Sequence, residues 1–328
     1  MKNYPYPLLN PPTFVWNTLN AEERDVKVHE WIATINGQEM DWTDYDVTIL
    51  GVPLSKSSIS SSSASENPDA MRQAWKSFST YNLDEDVDLA ELNVVDLGDV
   101  EQHVTDIGYT HERITEAMVA MRKHHPHTLP VMMGGDHSIT AQLVKGWKQA
   151  HPEETIGVLQ FDTHFDLRDP SELGQANGTP IRQLLEAGVV KGEHVHNIGL
   201  HGFFNAKALK DYADEHGVHY TTVKQARKKG IEETVRHALR ELDAHVDTVY
   251  VTFDMDVLDM VHGPGAPAAT PGGLYSQELF DAALIAGQHS KVKAMDIVCL
   301  DPRKDIGQTH VKAAVHTMLS FLTGYCQR

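Results

Sequence analysis

The feature that most constrains this chain is an apolar run that ends abruptly in metal-grade ligands: Ile156-Gly157-Val158-Leu159-Gln160-Phe161 leads directly into Asp162-Thr163-His164-Phe165-Asp166. A short continuous apolar run is the pattern of a strand buried on both faces of a parallel sheet. Side chains alternate along extended backbone, so Asp162, His164 and Asp166 share one side. The pattern recurs. Thr248-Val249-Tyr250-Val251-Thr252-Phe253 runs into Asp254 and Asp256, and Leu129-Pro130-Val131-Met132-Met133 runs into Gly134-Gly135-Asp136-His137-Ser138. Open α/β sheets place their sites at the carboxyl ends of parallel strands, so three strand ends are expected to deliver aspartates and histidines to one rim.

Further strands are expected over 46–52, 93–97, 196–199, 218–222 and 292–300. Helical spacing fits 68–78, 106–123, 179–187, 205–216, 231–242, 275–286 and 311–323, with Ser138 capping a helix that reaches 149. Strands alternating with helices imply a three-layer α/β/α sandwich around a mainly parallel sheet of about eight strands. Residues 1–45, an irregular proline-bearing lead-in with a helix over 21–35, read as an N-terminal extension packed on the domain. Residues 46–328 read as a single α/β domain, because a chain of 328 residues and 41% hydrophobic composition buries a large core and shows no linker.

A formal charge of −18 sets the chain against nucleic-acid backbones and anionic membrane surfaces and towards small solutes and cations. Two cysteines, Cys299 and Cys326, are too few for a disulfide framework and suit a reducing compartment. The amino terminus lacks the continuous apolar region of a signal peptide, and no segment approaches the roughly 20 apolar residues that span a bilayer. The expected setting is cytoplasmic.

Carboxylates with imidazoles and no thiolates suit hard or borderline divalent ions such as manganese. Asp162, Asp166, Asp254 and Asp256 bring four negative charges to the rim; two divalent cations neutralise them, whereas one would leave like charges crowded. A metal pair can also lower the pKa of a shared water. Taken singly, each motif has a plainer reading: Asp-x-His-x-Asp as a polar strand end, and Gly-Gly-Asp-His-Ser as a tight turn before a helix. Three of them after three strands make a site. Asp136 is read as supporting, His124, His125 and His127 as a solvated face, and Arg227-Lys228-Lys229 as a helix end. The serine run Ser55-Lys56-Ser57-Ser58-Ile59-Ser60-Ser61-Ser62-Ser63 follows a strand end on the same side, so it reads either as a substrate loop or as a plain solvated one.

Together, Gly134-Gly135-Asp136-His137-Ser138, Asp162-x-His164-x-Asp166 and Asp254-x-Asp256-x-x-Asp259 resemble the three signature motifs of the ureohydrolase family, which comprises arginases, agmatinases, guanidino-acid hydrolases and formimidoylglutamases. The resemblance runs from about residue 46 to the carboxyl end. The segments Gly51-Val52-Pro53-Leu54-Ser55-Lys56-Ser57-Ser58-Ile59-Ser60, Asn177-Gly178-Thr179-Pro180 and Pro271-Gly272-Gly273-Leu274-Tyr275 are most similar to the formimidoylglutamase branch. It implies an arginase-like α/β fold, a homo-oligomer and two Mn2+ per chain. One ion would be held by His137, Asp162, Asp166 and Asp254, the other by Asp162, His164, Asp254 and Asp256. It further implies hydrolysis of a C–N bond in a linear amidine, formimidoylglutamate to glutamate and formamide.

Asp256, as proton relay, and His164 are then the catalytic candidates. Lys56 and Ser57 of the serine loop, Arg168, Asn177 and Cys299 are the substrate-binding candidates, with Arg182 behind them. Two departures stand out. Asn177 lies where arginase has a proton-shuttling histidine, and Cys299 lies where the family usually carries a glutamate that grips the substrate cation. A neutral thiol cannot offset a buried cation. A guanidino or less basic substrate is therefore one alternative, and a metal-binding but catalytically silent partner subunit is another.

Overall fold

Strands that are apolar on both faces need a covering layer on each side, and the computed structural model, which describes residues 8–16, 26–35 and 45–328, supplies both. The central sheet has ten strands: β1 (Leu9–Asn10), β2 (Ala33–Thr34), β3 (Val47–Gly51), β4 (Val94–Val100), β5 (Leu129–Met133), β6 (Ile156–Phe161), β7 (Val190–Leu200), β8 (His219–Thr222), β9 (Thr248–Asp254) and β10 (Val292–Val298). Their spatial order is β1-β4-β3-β5-β10-β9-β6-β7-β8, with β2 also on β4. Every pair is parallel except β1 with β4.

Alternate strand residues feed two cores. Ile49, Val131, Leu159, Phe161, Val251 and Ile297 face the helices Asn67–Ala74, Ile231–Asp243, Ser276–Gln288 and Thr309–Cys326. Leu50, Met132, Val158, Tyr250 and Val298 face Ile107–His124, Ser138–Ala150, Pro180–Glu186 and Lys207–Glu215. The expected three layers are present, with more strands than the eight anticipated. The two additions, β1 and β2, are two residues long and too short to leave a periodic signal. They come from the N-terminal extension, which thus adds to the sheet edge. The helix expected over 21–35 falls partly outside the described residues; within them only Val28–Trp31 is helical.

Ser138 is the first residue of its helix, with His137 in the capping position and the Asp136 carboxylate accepting the Ser138 N–H at 3.1 Å. His125 is buried rather than solvated, its carbonyl accepting from Arg122. Arg227 to Lys229 do end a helix, Val223–Lys229.

Register positions the site. Phe253 pairs with Phe161, Asp254 with Val298, and Ile297 with Met133, so β5, β10, β9 and β6 finish level with one another. The Phe161 and Phe253 rings, 4.9 Å apart and parallel within 5°, form the floor of that edge. Whatever follows these four strands must meet.

Candidate metal centre

Three turns build the rim. After β5 the chain runs under the loop from β3 so closely that a Cβ on Gly135 would lie 1.8 Å from the Leu54 carbonyl oxygen. Only glycine fits there. The approach is fixed by hydrogen bonds from the Asp136 N–H to Leu54 O and from the Cys299 N–H to Gly135 O. Two non-glycine residues here adopt left-handed backbone, Asp166 at φ 54° and Cys299 at φ 60°. That conformation is uncommon for side-chain-bearing residues and clusters at functional sites.

His137 Nδ1 lies 3.2 Å from Asp162 Oδ2, 2.7 Å from Asp166 Oδ2 and 3.0 Å from Asp254 Oδ2. Its other nitrogen, Nε2, lies 3.0 Å from Thr252 Oγ1. With Nε2–H donating to that hydroxyl, Nδ1 presents a lone pair to three carboxylate oxygens, an arrangement relieved by a proton on Nδ1 or by a cation placed among them. His137 Nδ1 and Asp166 Oδ2 are buried with no hydrogen-bond partner. Beside them, His164 Nδ1 lies 3.5 Å from Asp162 Oδ1 and 3.1 Å from Asp256 Oδ2.

The donor atoms thus fall into two groups, His137, Asp162, Asp166 and Asp254, and Asp162, His164 and Asp256, each with its atoms within 4.8 Å of one another. Asp162 belongs to both and offers one oxygen to each. Asp254, expected to bridge, groups by distance with the first set, its Oδ2 3.0 Å from His137 Nδ1; its Oδ1 accepts the Asp256 N–H at 2.9 Å just as Asp162 Oδ1 accepts the His164 N–H at 2.6 Å, and neither bond excludes a bridging role.

The electrostatics express the same demand for positive charge. Burial works against a charged imidazole, yet Asp166, Asp162 and Asp254 hold His137 well above its ordinary 6.5, and Asp256 with Asp162 holds His164 up to about 12. Burial and the Asp162 charge push Asp166 up to about 7, and burial with Asp256 and Asp162 pushes Asp254 well above the carboxylate range. Oxygen-rich donors with two imidazoles and no thiolate fit hard or borderline divalent cations.

Other residues hold these ligands in place. Asn205 clamps the triplet backbone, donating to Thr163 O at 2.8 Å and accepting the Phe165 N–H at 3.0 Å. Asn197 donates to His164 O, and the buried His310 ring lies 3.0 Å from the carbonyl of Met255, the residue between Asp254 and Asp256. Asp136 supports the turn: it accepts from Ser57 and Ser138, and burial raises its pKa to about 6.

A cavity of about 110 Å³ opens onto the rim, lined by His164, Asp166, Asp254 and Asp256 and by Ile59, Ser60, Arg168, Asn177, Gly178, Phe204, Asn205, Leu209 and Ala268. Of the expected substrate residues, Arg168 and Asn177 lie here. A Cβ on Gly178 would meet Arg168 Cδ at 2.9 Å, so that glycine leaves room for the arginine stem.

Lys56 and Ser57 do not lie here. They face a neighbouring cavity of about 520 Å³ with His111 and Gln175, where Lys56 Nζ contacts Val104 O and buried Ser57 Oγ is 2.9 Å from Ser138 Oγ. The serine loop touches the rim through Ile59 and Ser60 instead. Arg182 is spent on Asp169 and Glu186, both at 2.7 Å. Cys299 sits behind the aspartates, buried, where enclosure and the nearby Asp254 and Asp256 push its thiol well above its ordinary value. Phe204, Asn205 and Ala268 carried no sequence signal: each sits in a loop without a ligand motif.

Residues 45–324 match the model of the arginase family. A formimidoylglutamase of Halalkalibacterium halodurans is 44% identical over 278 residues, covering 85% of this chain and 86% of that one. The crystal structure of formimidoylglutamase from Bacillus subtilis superposes with a TM-score of 0.88 at 37% identity, covering 94% of each chain. Trypanosoma cruzi formiminoglutamase, solved with two Mn2+, gives a TM-score of 0.83 at 25% identity, covering 93% of this chain and 99% of that one.

Proposed function

The chain belongs to the arginase family, and from that premise we propose that it is a manganese-dependent formimidoylglutamase, hydrolysing formimidoylglutamate to glutamate and formamide. The observation that carries the reading is the convergence of His137, Asp162, Asp166, Asp254, His164 and Asp256 beside a cavity large enough for a small solute. His137, Asp162, Asp166 and Asp254 would hold one ion and Asp162, His164 and Asp256 the other. Bound there, such ions would neutralise the carboxylates and lower the pKa of a bound water towards neutrality.

The chain's own residues supply the rest. Asp256, whose Oδ2 lies 3.1 Å from His164 Nδ1, would take a proton and return it to the amine nitrogen of glutamate as the C–N bond breaks. Arg168, exposed at the cavity and in no ion pair among the described residues, is the group for the substrate's carboxylates. Asn177 takes the Ile59 N–H at 2.8 Å and so ties the serine loop to the cavity wall.

The same reading takes residues 46–328 as one hydrolase domain, a homo-oligomeric assembly as in the family, and a cytoplasmic setting consistent with two cysteines that form no disulfide. The test is product release by manganese-loaded protein from formimidoylglutamate, agmatine and guanidino acids. Formimidoylglutamate should be turned over fastest, and Arg168→Ala should raise its KM while Lys56→Ala should not. Faster turnover of a guanidino substrate would overturn the assignment.

A further inference from the structure

A second group of metal-grade donors lies on the far edge of the sheet, outside the rim. His196 on β7 pairs in register with His219 on β8, so both side chains project from the same face, their rings 4.5 Å apart and parallel within 11°. The helix Ile231–Asp243 crosses that face and brings Glu241 to His196, with His237 one turn earlier. The Glu241 carboxylate stands between two imidazoles without hydrogen-bonding either: Oε2 is 3.6 Å from His196 Nε2 and Oε1 is 3.6 Å from His237 Nε2. Both separations exceed hydrogen-bond length.

His196 is the residue that needs an explanation. Its side chain is only 8% exposed and Nε2 is buried with no hydrogen-bond partner. A buried polar atom aimed at an acceptor it does not reach is costly unless something sits between them. Burial, with His219 and His237 alongside, presses His196 down to about 3, so near neutral pH its nitrogens are not doubly protonated.

We propose that His196, His219 and Glu241 bind one borderline divalent cation of the zinc class, separate from the manganese centre, with His237 available as a fourth donor. The donor atoms of the first three already lie within 4.8 Å of one another. Around one zinc at Zn–N of about 2.1 Å, neighbouring donors lie about 3.4 Å apart. Small rotations of the exposed His219 and Glu241 close that difference while His196 stays where the strand fixes it. The chemistry separates the two sites: nitrogen-rich donors favour Zn2+, Ni2+ or Cu2+, whereas the rim's carboxylates favour manganese. An ion here ties β7, β8 and the helix together at the edge where the sheet ends.

The experiment titrates Zn2+ into full-length, manganese-saturated protein by calorimetry, with both metals counted after gel filtration and the melting temperature recorded. The expected result is one zinc per chain with manganese retained and a raised melting temperature. His219→Ala and Glu241→Gln, both at exposed positions, should weaken zinc binding at least about 10-fold, since even outer-shell changes cost that much. Their zinc-free melting, manganese content and turnover should match the parent. Cu2+ bound in zinc's place should show nitrogen hyperfine structure that simplifies in His219→Ala. No zinc uptake, uptake matched one for one by manganese loss, or equal affinity in both variants would each overturn the proposal.

Discussion

Replacing Thr252 by valine tests how the metal centre is tuned without touching a ligand. Thr252 is fully buried on β9, and its hydroxyl is the partner of His137 Nε2 at 3.0 Å. Valine keeps the branched shape and removes that oxygen. Two outcomes are open to the imidazole. If Nε2 keeps its proton, a buried donor loses its acceptor at a cost of about 1–3 kcal/mol. If the proton moves to Nδ1, that nitrogen no longer offers a lone pair to the space among Asp162, Asp166 and Asp254. Both weaken the first ion, by about 10-fold to 100-fold for loss of such an outer partner, or about 1.4–2.7 kcal/mol. Manganese titration by calorimetry, with bound ion counted by electron paramagnetic resonance, should show one site weakened and the other nearly unchanged, and Thr252→Ser should recover most of the loss. Two sites within twofold of the parent, with unchanged melting, would refute the argument that Thr252 sets the tautomer of His137.

Asp162→Ala should lose both ions and all turnover, because Asp162 is the carboxylate shared by the two donor groups; Asp254→Ala should keep part of its metal, and metal analysis of both variants checks this. For His310, burial lowers the folded pKa to about 4 from the usual 6.5, so the unfolded chain protonates first. Its contribution is therefore complete above about pH 6.5 and falls as pH drops towards 4, by about 2 kcal/mol at pH 5. Urea unfolding of chelated His310→Gln should show that much less loss between pH 7 and 5 than the parent, and parallel curves would contradict it. Cys299→Glu places a carboxylate beside Asp254 and Asp256, so the metal-free protein should melt lower. Because residue 299 lies behind Asp254 and not in the cavity wall, manganese affinity should change before guanidino-acid turnover does; unchanged manganese affinity and unchanged turnover on every substrate would make Cys299 a core residue.

The sheet was legible because burial on both faces leaves a mark in the sequence. Runs such as 156–161 and 248–253 have no alternative place to go in a chain of this size, and their helices alternate with them. The ligands were legible for a related reason: each motif sits in the few residues after a strand, so local spacing carries it, and the level ending of four parallel strands does the rest. What escaped the sequence is what depends on approach between distant segments. The serine run could be placed at the rim but not turned. Its path is set where Leu54 crosses Gly135, and that crossing faces Ser57 towards Asp136 and leaves Ile59 and Ser60 for the cavity. Asn205, Thr252 and His310 act on ligands from other elements, with no spacing to betray them.

Charge counting also had a limit. Four carboxylates argue for two cations, but not for which oxygen faces which ion. Asp254 and Asp162 each accept a backbone N–H of their own turn, from Asp256 and from His164, a local geometry that no tally of charges contains. Cys299 combines both kinds of failure. Its position just past the strand is readable, yet with φ of 60° it lies under Asp254 rather than in the cavity wall. A thiol held there by strained backbone acts on the aspartate more directly than on any substrate. Substitution at Cys299 should therefore be read first in manganese affinity and only then in substrate choice.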